Sequence, residues 1–253
     1  MDMALRPPAP LRAVAVLLVA AVASGCASDP PTVDPTGVDL LEIPTPSPDP
    51  DDFVSGIDNR WLPLTPGSEW VYESTDGETI TVTVTDETRL VAGVRTTVVR
   101  DVVTGEDGEV VEETSDWFAQ DVDGNVWYFG EETTEYDDRG RPDTAGSWEA
   151  GVDGAEAGVV MLAEPRRGDG YQQEHLAGEA EDRATVLSLD ESLQIDSGSY
   201  DGLLVTEETT PLEPGLVEHK YYAPGLGLVL EQTVAGDGGE AELVGFTEAG
   251  AAR

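Results

Sequence analysis

Hydrophobic side chains that alternate with a period of two constrain the fold of this chain more than any other feature. In the segment 78–87 (ETITVTVTDE), Ile80, Val82 and Val84 share one face of an extended backbone, and threonines occupy the other face. β-Branched residues on both faces are typical of strands. The segment therefore predicts a half-buried β-strand.

The same period recurs along the chain from residue 68 onward. It appears in the segments 94–104, 109–119, 126–130, 184–190, 203–209, 216–222, 226–234 and 241–247. Asp-Gly pairs, which strongly favour hairpin turns, stand at 76–77, 107–108, 123–124, 201–202 and 237–238. The sequence predicts a mainly β fold, an antiparallel meander that forms a strongly curled sheet or an open barrel, with little helix outside a signal peptide.

The N-terminus has the organisation of a bacterial lipoprotein signal. Arg6 and Arg12 accompany an apolar run over 13–23, which is too short to cross a bilayer of about 30 Å as a helix. Small residues then lead to Cys26, the only cysteine in the chain. We expect cleavage before Cys26, lipidation of its sulfur with added acyl chains such as palmitate, and a cell-membrane location facing the extracytoplasmic side. The alternative is an ordinary secretory signal in which Cys26 has no role.

A proline-rich stretch follows the cysteine. Seven prolines occur between residues 27 and 50, and each restricts its neighbour to extended backbone and removes a hydrogen-bond donor. This composition predicts a tether, with a proline-rich recognition peptide as the alternative. We divide the chain into a signal peptide (1–25), a lipidated cysteine with its tether (26–52), one β-rich domain (53–247) and a disordered C-terminal tail (248–253).

The charge of the chain excludes several classes of partner. The sequence has 52 acidic residues against 13 Lys and Arg, a formal net charge of −39. Such a chain repels nucleic acids, so we expect no nucleic-acid partner, and its membrane contact is expected to come from the lipid anchor. One cysteine also excludes a disulfide framework and an all-thiolate metal site. Twelve arginines against the single Lys220 suggest a GC-rich genome.

Aromatic side chains in the strand segments are candidates for a ligand site. A long antiparallel sheet must hide one face, and no helix is predicted that would cover it. The rings therefore either fill a solid core or line a cavity for an apolar small molecule. The candidate ligand-binding residues are Trp70, Trp117, Trp127, Phe129, Tyr221 and Tyr222.

Two short motifs suggest chemistry, and each has a simpler interpretation as a turn. Asp121, Asp123 and Asn125 have the spacing of calcium ligands, but Gly124 stands at the fourth position of the loop rather than the sixth. The segment 195–199 (IDSGS) resembles the active-site loop of aspartic peptidases, which needs a second such loop that the sequence does not supply. We predict a turn at both places and no catalytic residue, metal ligand or cofactor. Asp196 is kept as a candidate for a carboxylate-dependent hydrolase.

Three segments, 58–72, 117–130 and 218–230, resemble a family of secreted bacterial lipoproteins of uncharacterised function. Residues 63–72 give the motif Pro-Leu-x-Pro-Gly-x-x-Trp-x-Tyr, and residues 221–229 give Tyr-Tyr-Ala-Pro-Gly-x-Gly-Leu-Val. The resemblance covers most of 57–231 and implies a long β-meander, but no catalytic residue. A looser resemblance, in fold style alone, is to envelope lipoproteins whose curled half-barrel shelters acyl chains.

Two functions remain open after the sequence has been read. The first is a surface-anchored, non-enzymatic binding or structural module of the cell envelope, with an apolar small molecule as its candidate ligand. The second is an extracellular carboxylate-dependent hydrolase. A cavity would favour binding, and two neighbouring carboxyl groups in a cleft would favour hydrolysis.

Overall fold

The computed structural model of the protein describes residues 37–137 and 139–250. The predicted signal peptide, Cys26 and the first part of the predicted tether lie outside the described residues. The described residues belong to one compact unit that starts at Pro35. Within them, no helix is both long enough and apolar enough to span a bilayer.

Strands make up nearly all of the regular structure. Within the described residues, one 3-10 turn, at Pro50–Asp52, precedes them. The strands are β1 (Phe53–Val54), β2 (Glu69–Ser74), β3 (Thr79–Val91), β4 (Val94–Thr104), β5 (Val110–Asp121), β6 (Val126–Tyr136), β7 (Pro142–Asp143), β8 (Trp148–Glu149), β9 (Glu156–Met161), β10 (Gly170–Gln172), β11 (Glu174–His175), β12 (Arg183–Ile195), β13 (Gly198–Thr209), β14 (Val217–Ala223), β15 (Gly227–Ala235) and β16 (Glu240–Thr247).

All of these strands join one antiparallel sheet. Its order is β10-β12-β13-β14-β15-β16-β2-β3-β4-β5-β6-β9-β11, with β1 paired to β5 and with β7 and β8 paired to β6. The predicted fold class, a mainly β meander in a strongly curled and open sheet, is confirmed. The pairing of β16 with β2 brings the last strand of the chain against the first long one.

The two edges of the sheet meet because their strands are consecutive in the chain. β10 at one edge and β11 at the other are separated by Gln173 alone. Gly158 on β9 lies against the Gln173 carbonyl, and a Cβ at this position would collide with it. The sheet thus curls back on itself without a continuous hydrogen-bonded seam.

Irregular pairing helps the long strands to bend. The register shifts between Val84 and Thr88 on β3, and again at several places along β12. Such bulges increase the local twist of a strand and allow a sheet to coil.

One predicted turn is wrong, and the reason is a bulge of this kind. Ser192 pairs with Asp201 and Glu191 pairs with Leu203, so Gly202 is left unpaired inside β13 with a φ of 66°. The Asp-Gly pair at 201–202 therefore bends a strand instead of ending it. The turn lies instead between Ile195 and Gly198, which form the last pair of β12 and β13. It falls within the segment 195–199, where a turn is also predicted.

Residues 37–54, the cover segment, pack against the sheet. Phe53 lies edge-on to Trp127 and Phe129, with ring centroids 6.3 and 5.5 Å away. The backbone N–H of Thr45 donates to the carbonyl of Ala157 at 2.9 Å. Val38, Leu41 and Ile43 contact the hydrophobic core. The boundary expected at residue 53 thus falls inside the compact unit, because apolar residues between the prolines find a surface to cover.

The other end of the chain also contacts the domain. The N–H of Ala249 donates to Ser68 Oγ at 3.3 Å. Residues 248–250, the described part of the predicted tail, therefore lie against the start of β2, and residues 251–253 lie outside the description.

Candidate functional site

The curl of the sheet encloses a cavity of about 320 Å³. Two kinds of side chain line it. The apolar wall includes Leu62, Leu64, Trp70, Tyr72, Val82 and Leu228. The polar wall includes Asp101, Asp116, Glu174, Asp182, Glu208 and Glu231, together with Lys220.

Two of the three segments that carry the family resemblance, 58–72 and 218–230, meet at the apolar wall. Trp70 Nε1 donates to the carbonyl of Leu226 at 2.8 Å, and the Tyr72 hydroxyl donates to the carbonyl of Leu228 at 3.0 Å. Gly227 lies close to the Trp70 ring, where its missing side chain leaves room. With their polar atoms occupied by backbone, the two aromatic residues expose rings rather than hydrogen-bonding groups to the cavity.

The wall changes from apolar to acidic along one row of paired residues. Trp70 on β2 pairs with Val82 on β3, and Val82 pairs with Asp101 on β4. Directly paired residues of antiparallel strands point to the same face of a sheet. Asp101 therefore stands next to apolar neighbours, on a face that the alternation of β3 marks as hydrophobic.

Lys220 is the only lysine of the chain, and it lies on the polar wall. Its Nζ is 3.0 Å from Glu208 Oε2 and 3.5 Å from Glu231 Oε2. Burial opposes the charge of Lys220, but the two carboxylates outweigh it and hold the lysine pKa well above its ordinary value. The ammonium group is thus charged and already shared between two acids.

Asp116 and Glu131 share the hydroxyl of Tyr128. This oxygen is 2.6 Å from Asp116 Oδ1 and 3.1 Å from Glu131 Oε2. The hydroxyl has one proton to donate, so the pair is best satisfied when one carboxyl group is itself protonated. Burial raises the pKa of Asp116 to about 7 despite the bond from Tyr128. Burial and then the charge of Asp116 raise the pKa of Glu131 to about 7.

Two acceptor atoms at the cavity have no hydrogen-bond partner among the described residues. They are Asp101 Oδ1 and Gln173 Oε1. Gln173, at the junction of the sheet edges, is only 5% exposed. Burial, followed by the charges of Glu112 and Glu231, raises the pKa of Asp101 to about 7. The cavity therefore has more acceptors than donors, an arrangement that can hold a donor group beside an apolar wall.

The structure brings only part of the predicted ligand set to this cavity. Trp70 and Tyr222 line it. Trp117 lines a separate hollow, with the guanidinium of Arg89 3.9 Å from the centroid of its ring. Trp127 and Phe129 are buried under Phe53, and Tyr221 precedes the cavity-lining Tyr222 on β14. A ligand role for these residues stays a prediction.

Strand parity explains this division. Asp116, Phe118 and Tyr128 line the cavity, so Trp117 and Trp127, which alternate with them, point to the other side of the sheet. Phe129 is also on that side, before a bulge at Gly130 that returns Glu131 to the face of Asp116. Both faces of β5 and β6 bear aromatic rings, so hydrophobicity alone does not distinguish them.

The acidic members of the cavity are functional candidates that the sequence reading missed. Among 52 acids, no short motif marks Asp101, Asp116 or Glu174. One signal was present for Asp101. It follows Val99 by two residues in a strand segment, and an acid at an inward position is unusual.

The residues with calcium-like spacing form the turn between β5 and β6. Asp121 Oδ1 accepts from the N–H groups of Asp123 and Asn125, at 3.0 and 2.8 Å. Asp121 Oδ2 accepts from Asn125 Nδ2 and Trp127 Nε1, both at 2.8 Å. The carboxylate is therefore occupied by the turn, as the turn interpretation requires. Across residues 37–137 and 139–250, no group of three or more His, Cys, Asp or Glu is arranged to hold a metal ion.

Asp196, the candidate for a hydrolase, lies in the exposed turn between β12 and β13. Its N–H donates to Glu242 Oε1 at 2.6 Å. It does not line the cavity formed by the curled sheet. In the described residues, Asp116 and Glu131 form a carboxyl pair that hydrogen-bonds one hydroxyl group, that of Tyr128.

Comparisons with known proteins do not assign the chain to a family. No family model matches it, and none of the curated proteins matches it. One solved structure, described as a "putative lipoprotein" from Parabacteroides distasonis ATCC 8503, aligns with a TM-score of 0.39 at 12% identity, over 75% of this chain and 99% of that chain. This similarity is too low to carry an argument, so the resemblance of residues 63–72 and 221–229 to secreted lipoproteins stays a prediction.

Proposed function

We propose that this protein is a lipid-anchored envelope lipoprotein whose domain binds a small molecule with an apolar body inside the curled sheet. The observation that carries the proposal is the cavity of about 320 Å³ beside the rings of Trp70 and Tyr72. Ligand pockets usually measure about 300 to 1,000 Å³ and combine an apolar lining with a few polar groups. A non-enzymatic binding role agrees with this lining.

The anchor is proposed from the residues that surround Cys26. A single acyl chain gives marginal membrane attachment, so stable anchoring requires at least two. Cys26→Ala should release the protein into the medium or leave it unprocessed, measured by membrane fractionation and intact mass. Normal processing together with unchanged membrane partitioning would contradict the anchor.

Binding can be tested with octanol on the chain from residue 26 onward with Cys26→Ser, which keeps the whole compact unit. Octanol should change the emission of tryptophan and saturate at one equivalent. Ala241→Phe places a ring at the cavity wall and should abolish the change. Ala235→Phe makes the same substitution at an exposed position on the neighbouring strand and should not. An octanol response that survives Ala241→Phe would place binding elsewhere.

A carboxylate-dependent hydrolase is the second candidate, favoured by the Asp116 and Glu131 pair. Neighbouring carboxyl groups with raised pKa values are typical of acid–base catalysis. Hydrolysis of a panel of nitrophenyl esters and glycosides, lost on Asp116→Asn, would support it. Activity that is absent, or that Asp116→Asn does not change, would remove this candidate.

A further inference from the structure

We infer that the ligand of this cavity carries a cationic donor, such as a protonated amine, beside its apolar body. The inference rests on the proposed function and names the chemistry of the group at the polar end. It predicts an amphiphilic amine and excludes fatty acids, the ligands that an apolar cavity in a lipoprotein would first suggest.

Acidic side chains outnumber basic ones on the cavity wall. Six acidic side chains line the cavity against one basic side chain, Lys220. The two closest acids, Glu208 and Glu231, already share this lysine. An anionic headgroup would find no unshared cation on the wall and would oppose ionisation of the neighbouring acids, whereas a cation would favour it.

Two hydrogen-bond acceptors at the cavity have no partner within residues 37–137 and 139–250. Asp101 Oδ1 and Gln173 Oε1 are buried, and neither accepts a hydrogen bond from any described residue. A buried acceptor without a partner is unfavourable, so a bound donor would recover that free energy. Asp101 reaches the cavity from β4, and Gln173 reaches it from the junction of the sheet edges.

The opposite wall of the cavity presents aromatic ring surface. Trp70 and Tyr72 donate their polar hydrogens to backbone carbonyls and so present only ring surface. Ring faces attract cations as well as apolar groups. One wall thus suits the body of an amphiphilic amine, and the other suits its ammonium group.

The test compares three ligands with the same chain and different headgroups: octylamine, octanol and octanoate. A charge-assisted hydrogen bond contributes about 1.5 to 3 kcal/mol, so calorimetry at neutral pH should give octylamine an affinity about tenfold or more above that of octanol. Octanoate should bind more weakly than octanol. If none of the three binds, the proposed function fails. If octanol or octanoate equals or exceeds octylamine, this inference fails and the proposed function stands.

A matched pair of variants locates the headgroup. Asp101→Asn keeps the shape of the side chain and should remove most of the preference for octylamine over octanol. Asp86→Asn makes the same change at an exposed position of β3 and should alter neither affinity. An unchanged preference in Asp101→Asn would overturn the inference. Gln173→Leu provides a second variant, with the same expected loss and the same contradicting result.

Proton release gives an independent measurement. A bound cation favours the ionised form of nearby carboxyl groups, so octylamine should displace protons near pH 7, and octanol should not. Calorimetry in buffers of different ionisation enthalpy measures this release. Octylamine binding without proton release would contradict a position beside these acids.

Discussion

The two faces of β5 and β6 differ in how closely they are packed and in how well their polar groups are hydrogen-bonded, although they belong to the same strands. On the outer face, Phe129 is completely buried under Phe53, and the Trp127 N–H is satisfied by Asp121. On the inner face, Asp116 and Tyr128 line a cavity, and their polar groups share too few protons. Close packing and satisfied hydrogen bonds therefore stabilise the covered face. The cavity face is packed less closely and keeps polar groups without enough hydrogen-bond donors.

The largest expected effect tests the packing half of this comparison. Phe129→Ala should lower the free energy of unfolding by about 3 to 5 kcal/mol, because the fully buried ring leaves a void. Phe118→Ala, on the cavity face of the neighbouring strand, should cost clearly less, because this side chain is already half-exposed. Urea unfolding measures both. Equal losses would mean that the two faces are packed alike.

Next in size is the effect of removing the only lysine. Lys220→Met should lower the free energy of unfolding by about 3 kcal/mol, because it leaves Glu208 and Glu231 without their buried counter-charge. Arg100→Met breaks an ion pair with Glu113 at the surface and should cost about 1 kcal/mol or less. A Lys220→Met variant as stable as Arg100→Met would show that water screens the polar wall.

The pH dependence of stability sharpens the electrostatic half. Asp101, Asp116 and Glu131 have pKa values raised to about 7 in the folded state, so the folded chain retains protons that the unfolded chain loses near pH 4. Stability should therefore fall as pH rises from about 4 through about 7.

Thermal unfolding across this pH range measures the slope. Asp101→Asn should flatten it, because one of the three groups no longer titrates. Asp86→Asn should leave it unchanged. A stability that rises with pH over this range would show that the inner carboxyls are ionised and paired.

The smallest expected effect concerns the cover segment. Arg166 pairs with Asp39 at 2.9 Å and with Asp169 at 3.2 Å, and it links the cover segment to the turn before β10. Arg166→Ala should lower stability only slightly, and the loss should shrink in high salt. Hydrogen exchange should rise at Thr45 and stay unchanged in β3. Unchanged exchange at Thr45 would mean that the apolar contacts alone hold the segment.

The fold could be predicted from the sequence, because period-two alternation and four of the five Asp-Gly pairs report local geometry. Gly202 misled because a bulge and a turn need the same positive φ. The cover segment was missed because its apolar residues lie between prolines, where composition suggests an extended chain.

The site was harder to predict, for a reason of parity. Trp117 and Phe118 are neighbours in the sequence, but their side chains point to opposite faces of β5. Both faces of this strand are apolar enough to belong to a core. Which face encloses the cavity depends on how the sheet curls, and that is set by bulges and by pairing between distant strands. Trp70 and Tyr222 line the cavity, and their ligand role stays a prediction. Asp101 and Gln173 become candidates only once the curl of the sheet brings its edges together.

The pairing of β2 with β16 affects how the chain folds while it is being synthesised. Trp70 on β2 faces Phe246 on β16, so a chain that emerges N-terminus first carries an open edge on β2 until β16 has been synthesised. Long-range pairing of this kind is slow and exposes strand edges to other chains in the meantime. A chain shortened before residue 240 would keep that edge permanently. Synthesis of β16, rather than of any single early hairpin, is therefore the step that covers this edge of β2.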